Sequence, residues 1–234
     1  MHKTSNKVII IILFLFFLNL LFTEKGFSND LNDAKQLADK ARITLESFYS
    51  ANEMENFRIL AKKAKGFFIA PQILKGAFLF GASGGSGVFV AKDPKTGEFS
   101  YPAFYTLGEA SFGLQIGGES AEVIMLVFTE KGVSALLSNS IKLGADVGVA
   151  IGPVGGGVDA STANLSVDIL SFSRTKGLYG GLSLEGAFIK TRSDWNRAYY
   201  GKDVTPMDII IKNKVQNPHA KPLIDMVRKI ATEK

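Results

Sequence analysis

Cysteine is absent from the 234-residue chain, and histidine occurs only twice, at His2 and His219. The missing thiols exclude a cysteine nucleophile, a disulfide framework and a diacylglyceryl-cysteine anchor. The two scarcities together remove the usual ligands of a zinc site. Charge of one sign is also in short supply. Twenty-seven Lys and Arg against 22 Asp and Glu leave +5, too small an excess to argue for nucleic acid. The 24 Gly follow no collagen-like period, and no heptad array or long low-complexity segment interrupts the chain.

What is present is apolar. Hydrophobic residues make up 46% of the chain and 18 are Phe, ample material for a core. Near the start, Lys3 and Lys7 precede an apolar run, Val8–Leu18, which Leu20–Phe22 extend; Gly26-Phe27-Ser28 follow. A basic start, a run short of the roughly 20 residues a membrane span needs, and small residues before a cut read as a secretory signal peptide, residues 1–28. An uncleaved anchor is the alternative. Residues 29–234 are then expected to form a single domain with a basic, helical C-terminal tail. Export without cysteine fits a bacterial periplasm or envelope.

Residues 30–49 have the spacing of a helix, with Leu31, Ala34, Ala38, Ala41, Leu45 and Phe48 on one stripe. Lys35, Lys40 and Arg42 fall elsewhere around the axis. Such a stripe packs on the domain or lies in a membrane interface. A second helix is predicted over residues 53–65, with Met54, Phe57 and Leu60 inward. Lys62, Lys63 and Lys65 at its end either complement the helix dipole or bind phosphate.

The period then changes to two. Strands are predicted at 66–71, ending at Pro71, at 77–81 and at 87–91, the last two joined by Gly81-Ala82-Ser83-Gly84-Gly85-Ser86. Further strands are predicted at 99–107, 111–117 and 122–129, where Val123–Phe128 is unbroken apolar and predicts burial on both faces. A short helix at 130–139 precedes strands at 143–152, 165–174 and 177–190. In the first of these Leu143, Ala145, Val147, Val149 and Ile151 alternate with small residues and Asp146. Helices at 194–200, 205–212 and 222–232 close the chain. The order predicts an α+β fold: a mostly antiparallel, curled or barrel-like sheet with N-terminal and C-terminal flanking helices and one inserted helix.

The catalytic inventory is thin. Gly81-Ala82-Ser83-Gly84-Gly85 has nucleophile-elbow spacing, but a strand rather than a helix is predicted after it, and no histidine is near in sequence. Gly152-Pro153-Val154-Gly155-Gly156-Gly157 lacks the Lys-Ser/Thr ending of a phosphate loop. Asp146, Asp159, Asp168 and Glu185 are the acids most suggestive of a site. If Asp146 and Glu185 shared a pocket they could serve a hydrolase; otherwise they meet solvent or backbone donors. No catalytic residue, metal ligand or cofactor is assigned.

Six blocks carry a resemblance: Tyr101–Gly108, Ala110–Gly117, Leu143–Asp146, Gly152–Gly155, Ser183–Gly186 and Asn196–Gly201. In this order they resemble the SYLF domain, over roughly Asp30 to Lys212. Glu109 departs from the pattern, which favours a small residue there. The resemblance implies a non-enzymatic module that binds membrane phospholipid, phosphoinositides in eukaryotic members, with an N-terminal amphipathic helix taking part. Actin binding is also associated with the family, but a signal peptide would separate this chain from cytosolic actin. The expected lipid-binding residues are Leu31, Lys35, Lys40, Arg42, Leu45, Phe48, Lys62, Lys63 and Lys65, facing an anionic phospholipid surface. A scaffold that binds another envelope protein is the alternative. Nucleic acid is not an expected partner.

Overall fold

The computed structural model describes residues 29–77, 81–111, 117–155, 167–175, 177–180 and 182–233. Helix α1 occupies residues 29–50. Its apolar stripe recurs every three or four residues, and Ala34, Ala38, Ala41, Leu45 and Phe48 are all buried. A short turn of helix, Asn52–Met54, leads into α2, Glu55–Ala61. The helix therefore stops before the basic cluster: Lys62 is its C-cap residue, and Lys63 and Lys65 lie in the turn beyond.

The sheet follows: β1 Gly66–Ala77, β2 Gly81–Ala91, β3 Ala103–Ser111 and β4 Gly117–Val127. Helix α3, Glu130–Leu136, is the inserted helix, opened by the Thr129 hydroxyl accepting from the Gly132 N–H. Short strands β5 Ser140–Lys142, β6 Val149–Ile151, β7 Ile169–Thr175, β8 Leu178–Gly180 and β9 Phe188–Thr191 complete it. The chain closes with α4 Ser193–Tyr200, α5 Pro206–Ile210 and α6 Lys221–Thr232. A full capping box of Thr205 and Asp208 starts α5, with Pro206 in its first turn.

The strands form one curled sheet in the order β5-β9-β3-β2-β1-β4-β7-β6, with β8 also on β7. Every pairing is antiparallel except β6 with β7. The fold is α+β, as the order of predicted elements implied. Alternate residues of the central strands serve two cores. Phe67 and Ile69 of β1 and Ile124 and Leu126 of β4 pack with α1, α2 and α6. Phe68, Ala70, Val123, Met125 and Val127 pack with α3 and α5. The unbroken apolar run of β4 is thus buried on both faces.

Three predicted boundaries are corrected. Strand β1 does not end at Pro71 but continues to Ala77. Its register slips between Ile69 and Gln72 against β2 and between Ala70 and Ile73 against β4. One extra residue is absorbed there, and a bulge is where a central strand tolerates a proline, which has no N–H to donate. The bulge brings backbone close to β2: a Cβ at Gly85 would lie 2.1 Å from the Gln72 carbonyl oxygen. The second correction follows. Gly81-Ala82-Ser83-Gly84-Gly85-Ser86 is strand rather than connection. Third, residues 143–152 are not one strand. A turn at residues 144–146, with Gly144 at φ +84 and Leu143 bridged to Val147 across it, interrupts the alternation, and within 143–152 only Val149–Ile151 forms a strand.

Candidate functional site

At one end of the sheet β1 begins, β2 ends and β4 hands over to α3. There Lys65, Lys92, Lys95, Glu130, Ile210 and Ile211 line a cleft of about 580 Å³. Lys62 and Lys63 are exposed in the turn that leads to it. Lys65 is tied to Glu130 at 2.7 Å. Asp93 directs an oxygen to the Lys95 and Thr96 N–H groups of its own turn. Three lysines, Lys65, Lys92 and Lys95, therefore share the cleft with two carboxylates, both already engaged, and Ile211 stands 47% exposed beside them. A basic rim with an apolar shelf can hold an anionic headgroup next to hydrocarbon.

The predicted helix residues are distributed differently. Leu45 and Phe48 do not face outward: both are fully buried. Phe48 meets Phe57 and Tyr179 edge to face at centroid distances of 6.1 and 5.1 Å. In this docked helix they cannot touch a membrane, and Leu31 is half-buried. Lys40 is exposed, Lys35 half-buried, and Arg42 is paired with Glu46 at 2.8 Å. The outer face of α1 carries Gln36, Asp39, Lys40, Ile43 and Glu46, a mixed face rather than an apolar one. Of the nine expected residues, Lys65 lines the cleft, and Lys62 and Lys63 are exposed in the turn that precedes it.

A polar network holds α1 down. Arg174 donates to Glu122 and to the Ser47 hydroxyl, and its guanidinium lies 5.5 Å from the Tyr179 ring centroid. Thr44 donates to Glu122 at 3.1 Å. The Glu122 pair holds the Arg174 guanidinium above its ordinary pKa despite partial burial. The antiparallel β7–β8 pairing sets Arg174 opposite Tyr179. No helical or alternating pattern could have revealed this network, because its members lie up to 132 residues apart.

The acids singled out in sequence do not assemble a reaction centre. Asp168 sits in β7's approach, where it accepts from Thr129 and from the Gly148 N–H, with Lys131 at 3.4 Å. Burial alone would raise its pKa; those three partners outweigh burial and hold the carboxyl below the usual range. Asp146 accepts the Lys142 N–H at 2.7 Å, closing its own turn, and Glu185 is exposed. Asp159 lies outside the described residues. Gly155 is fastened to α2 and the short turn before it: its N–H donates to the Glu53 carbonyl and its carbonyl accepts from Asn56. The described part of this glycine-rich stretch, residues 152–155, is thus packed against the domain.

The described residues thus form an α+β fold with a lysine-lined cleft at one end of the sheet and a docked helix α1. Comparison places it. Residues 108–230 match the family model Ysc84, described as Las17-binding protein actin regulator, and the chain belongs to this SYLF-domain family. It is 32% identical over 210 residues to Protein YSC84 of Saccharomyces cerevisiae, covering 85% of this chain and 44% of the relative. Identity to the same yeast's LAS seventeen-binding protein 3 is 34% over 205 residues, 83% of this chain and 44% of the relative. The human SH3 domain-containing YSC84-like protein 1 is 30% identical over 167 residues, 70% of this chain and 48% of the relative. The matched part thus spans less than half the length of these relatives, the second of which is named for binding LAS seventeen.

Proposed function

We propose that this chain binds anionic phospholipid at a membrane surface through the lysine-rimmed cleft, without catalysing a reaction. The observation that carries the reading is the gathering of Lys65, Lys92 and Lys95 in one cleft, with Lys62 and Lys63 exposed in the turn just before Lys65 and Ile211 exposed at the edge. The phospholipid binding implied by the SYLF resemblance supports it. The site is electrostatic, with α1 serving as a docked wall of the domain rather than an inserted anchor. Undocking α1 would expose its Leu37, Leu45 and Phe48 among others. At about 1.5–3 kcal/mol each, these three alone approach the whole stability of a small domain. With residues 1–28 as an export signal, the surface would be that of a bacterial envelope.

The test is co-sedimentation with neutral and anionic vesicles at low and high salt. Each lysine near an anionic surface contributes about 1 kcal/mol. Lys62→Glu, Lys63→Glu and Lys95→Glu together should therefore weaken binding by roughly a hundredfold or more. Binding of the unaltered protein should fall as salt shortens the screening length. Lys65 is left in place because reversing it would set two carboxylates against each other at Glu130. Binding that ignores the triple variant would sink the assignment. The name of the yeast LAS seventeen-binding protein 3 favours a second reading, a scaffold for another protein, in which vesicles of every composition leave the protein in the supernatant.

A further inference from the structure

Between α1 and the bulge of β1 runs a groove with two connected hollows. The first, about 220 Å³, is lined by Gln36, Leu37, Leu74, Ser86 and Trp195 among others. The second, about 600 Å³, is lined by Ile43, Thr44, Ser120, Glu122 and Arg174. Lys40, Pro71 and Gln72 border both hollows. The bulge makes the groove: the displaced strand sets Pro71 and Gln72 under the flank of α1 and leaves Leu74 uncovered beyond it.

Three observations ask for an occupant. Trp195 is 7% exposed, and its buried indole Nε1–H has no acceptor among the described residues, an uncommon state for a buried donor. The Arg192 guanidinium stacks 3.6 Å from its ring centroid and reaches Ser86 of the same hollow. Leu74 and Ile43 stand 57% and 55% exposed on the rim. The groove's charges also cancel, since Asp33 and Lys40 line the first hollow and Glu122 pairs with Arg174 in the second. A formally neutral trough is a poor place for a phosphate. Side-chain amides and hydroxyls beside an apolar rim suit an uncharged polypeptide main chain.

We infer that this groove binds an extended segment of another polypeptide. A main-chain carbonyl accepts the Trp195 Nε1–H, and apolar side chains rest on Leu74 and Ile43. The site is separate from the lysine cleft and stands whether or not that cleft binds lipid.

Trp195 is the only tryptophan in the chain, so its emission reports on the groove. The folded protein would be used to select from a displayed library of unconstrained 12-residue peptides lacking Trp. Selected peptides would then be synthesised and titrated. The expected result is one-to-one binding with a change in Trp195 emission. Leu74→Glu, at a position already mostly in water, should weaken binding at least tenfold. Trp195→Phe keeps a ring but loses the N–H, and should weaken a labelled peptide about fivefold by anisotropy. Lys62→Glu with Lys63→Glu should leave peptide affinity unchanged. Far-UV circular dichroism would confirm that each variant is folded. Failure to enrich any peptide, or affinity indifferent to Leu74→Glu, would overturn the site. So would anionic vesicles, rather than peptides, altering Trp195 emission in a way that Leu74→Glu abolishes. Affinity indifferent to Trp195→Phe alone would overturn the role given to the indole.

Discussion

Asn196 has no exposed surface, and its side-chain amide both accepts the Phe104 N–H and donates to the Phe104 carbonyl. It makes with β3 the pair of bonds that a neighbouring strand would make. Tyr200 donates to the Pro102 carbonyl at 2.6 Å, and Leu143 and Ala187 are joined through backbone. The blocks that carry the family resemblance therefore meet one another: Asn196–Gly201 clamps Tyr101–Gly108, and Leu143–Asp146 pairs with the loop around Ser183–Gly186. These residues hold the fold rather than form a reactive centre, so motif recognition identified the family without identifying a site. Asp168 makes the same point with a charge. Its folded pKa lies below the unfolded value, so its contribution is fully present above the unfolded pKa of about 3.9 and is lost as pH falls through the folded one. Asp168→Asn should cost about 1–2 kcal/mol at neutral pH, a fall in Tm of roughly 2–8 °C. Thermal scans from pH 7 down to 3 should show that gap holding to about pH 5 and closing below about 4. A gap that is constant across the range would mean that the ionised carboxylate contributes nothing.

Helix α1 is fixed by two kinds of contact: an apolar seam through Leu45 and Phe48, and the Glu122–Arg174 network that reaches Thr44 and Ser47. The seam was legible, because burial of a stripe follows from its spacing. The network was not, because it depends on which strands become neighbours. Glu122→Gln keeps the shape and removes the charge, leaving the partly buried Arg174 cation without its carboxylate. That should weaken α1 docking by about 1–2 kcal/mol. Amide exchange over residues 41–48 should accelerate roughly 5- to 30-fold while β1 and β2 keep their rates. Equal exchange in both proteins would show that the seam alone holds the helix. The misread elements have equally local causes. Pro71 signals a strand end unless a bulge absorbs it, and a bulge exists only against a partner strand, which the local sequence does not show. Gly81–Ser86 has the composition of a loop, yet Gly85 is required by the close approach of Gln72, and Gly87 lies under the Phe68 ring. At residues 143–152 the alternation was real, but Gly144 takes a positive φ and Asp146 closes a turn on the Lys142 N–H.

Over the whole molecule, one set of strands serves two cores. Phe67 and Phe68 are consecutive residues with opposite allegiances, the first with α1 and α6, the second with α3 and α5. The same holds along β4, from Val123 to Val127. Neither helical layer can be stripped away without exposing one face of strands whose other face still belongs to the remaining core. The long central pairings, β1 with β2 and β1 with β4, run through both cores. No disulfide exists to hold a half-unfolded state together. Unfolding should therefore be a single cooperative event, although the two cores lie on opposite sides of the sheet. Phe48→Ala on one side should cost about 3–5 kcal/mol and Leu136→Ala on the other about 2–5 kcal/mol. Each should move the same urea midpoint without changing its steepness. Trp195 emission, which reports the α1 side beside Phe104, and far-UV circular dichroism, which reports the whole sheet, should coincide in the native protein and in both variants. A variant in which the tryptophan signal is lost at lower urea than the ellipticity would show that the α1 layer melts by itself. The sheet would then be a platform for a detachable layer rather than a shared wall, and α1 would be free to leave the domain after all.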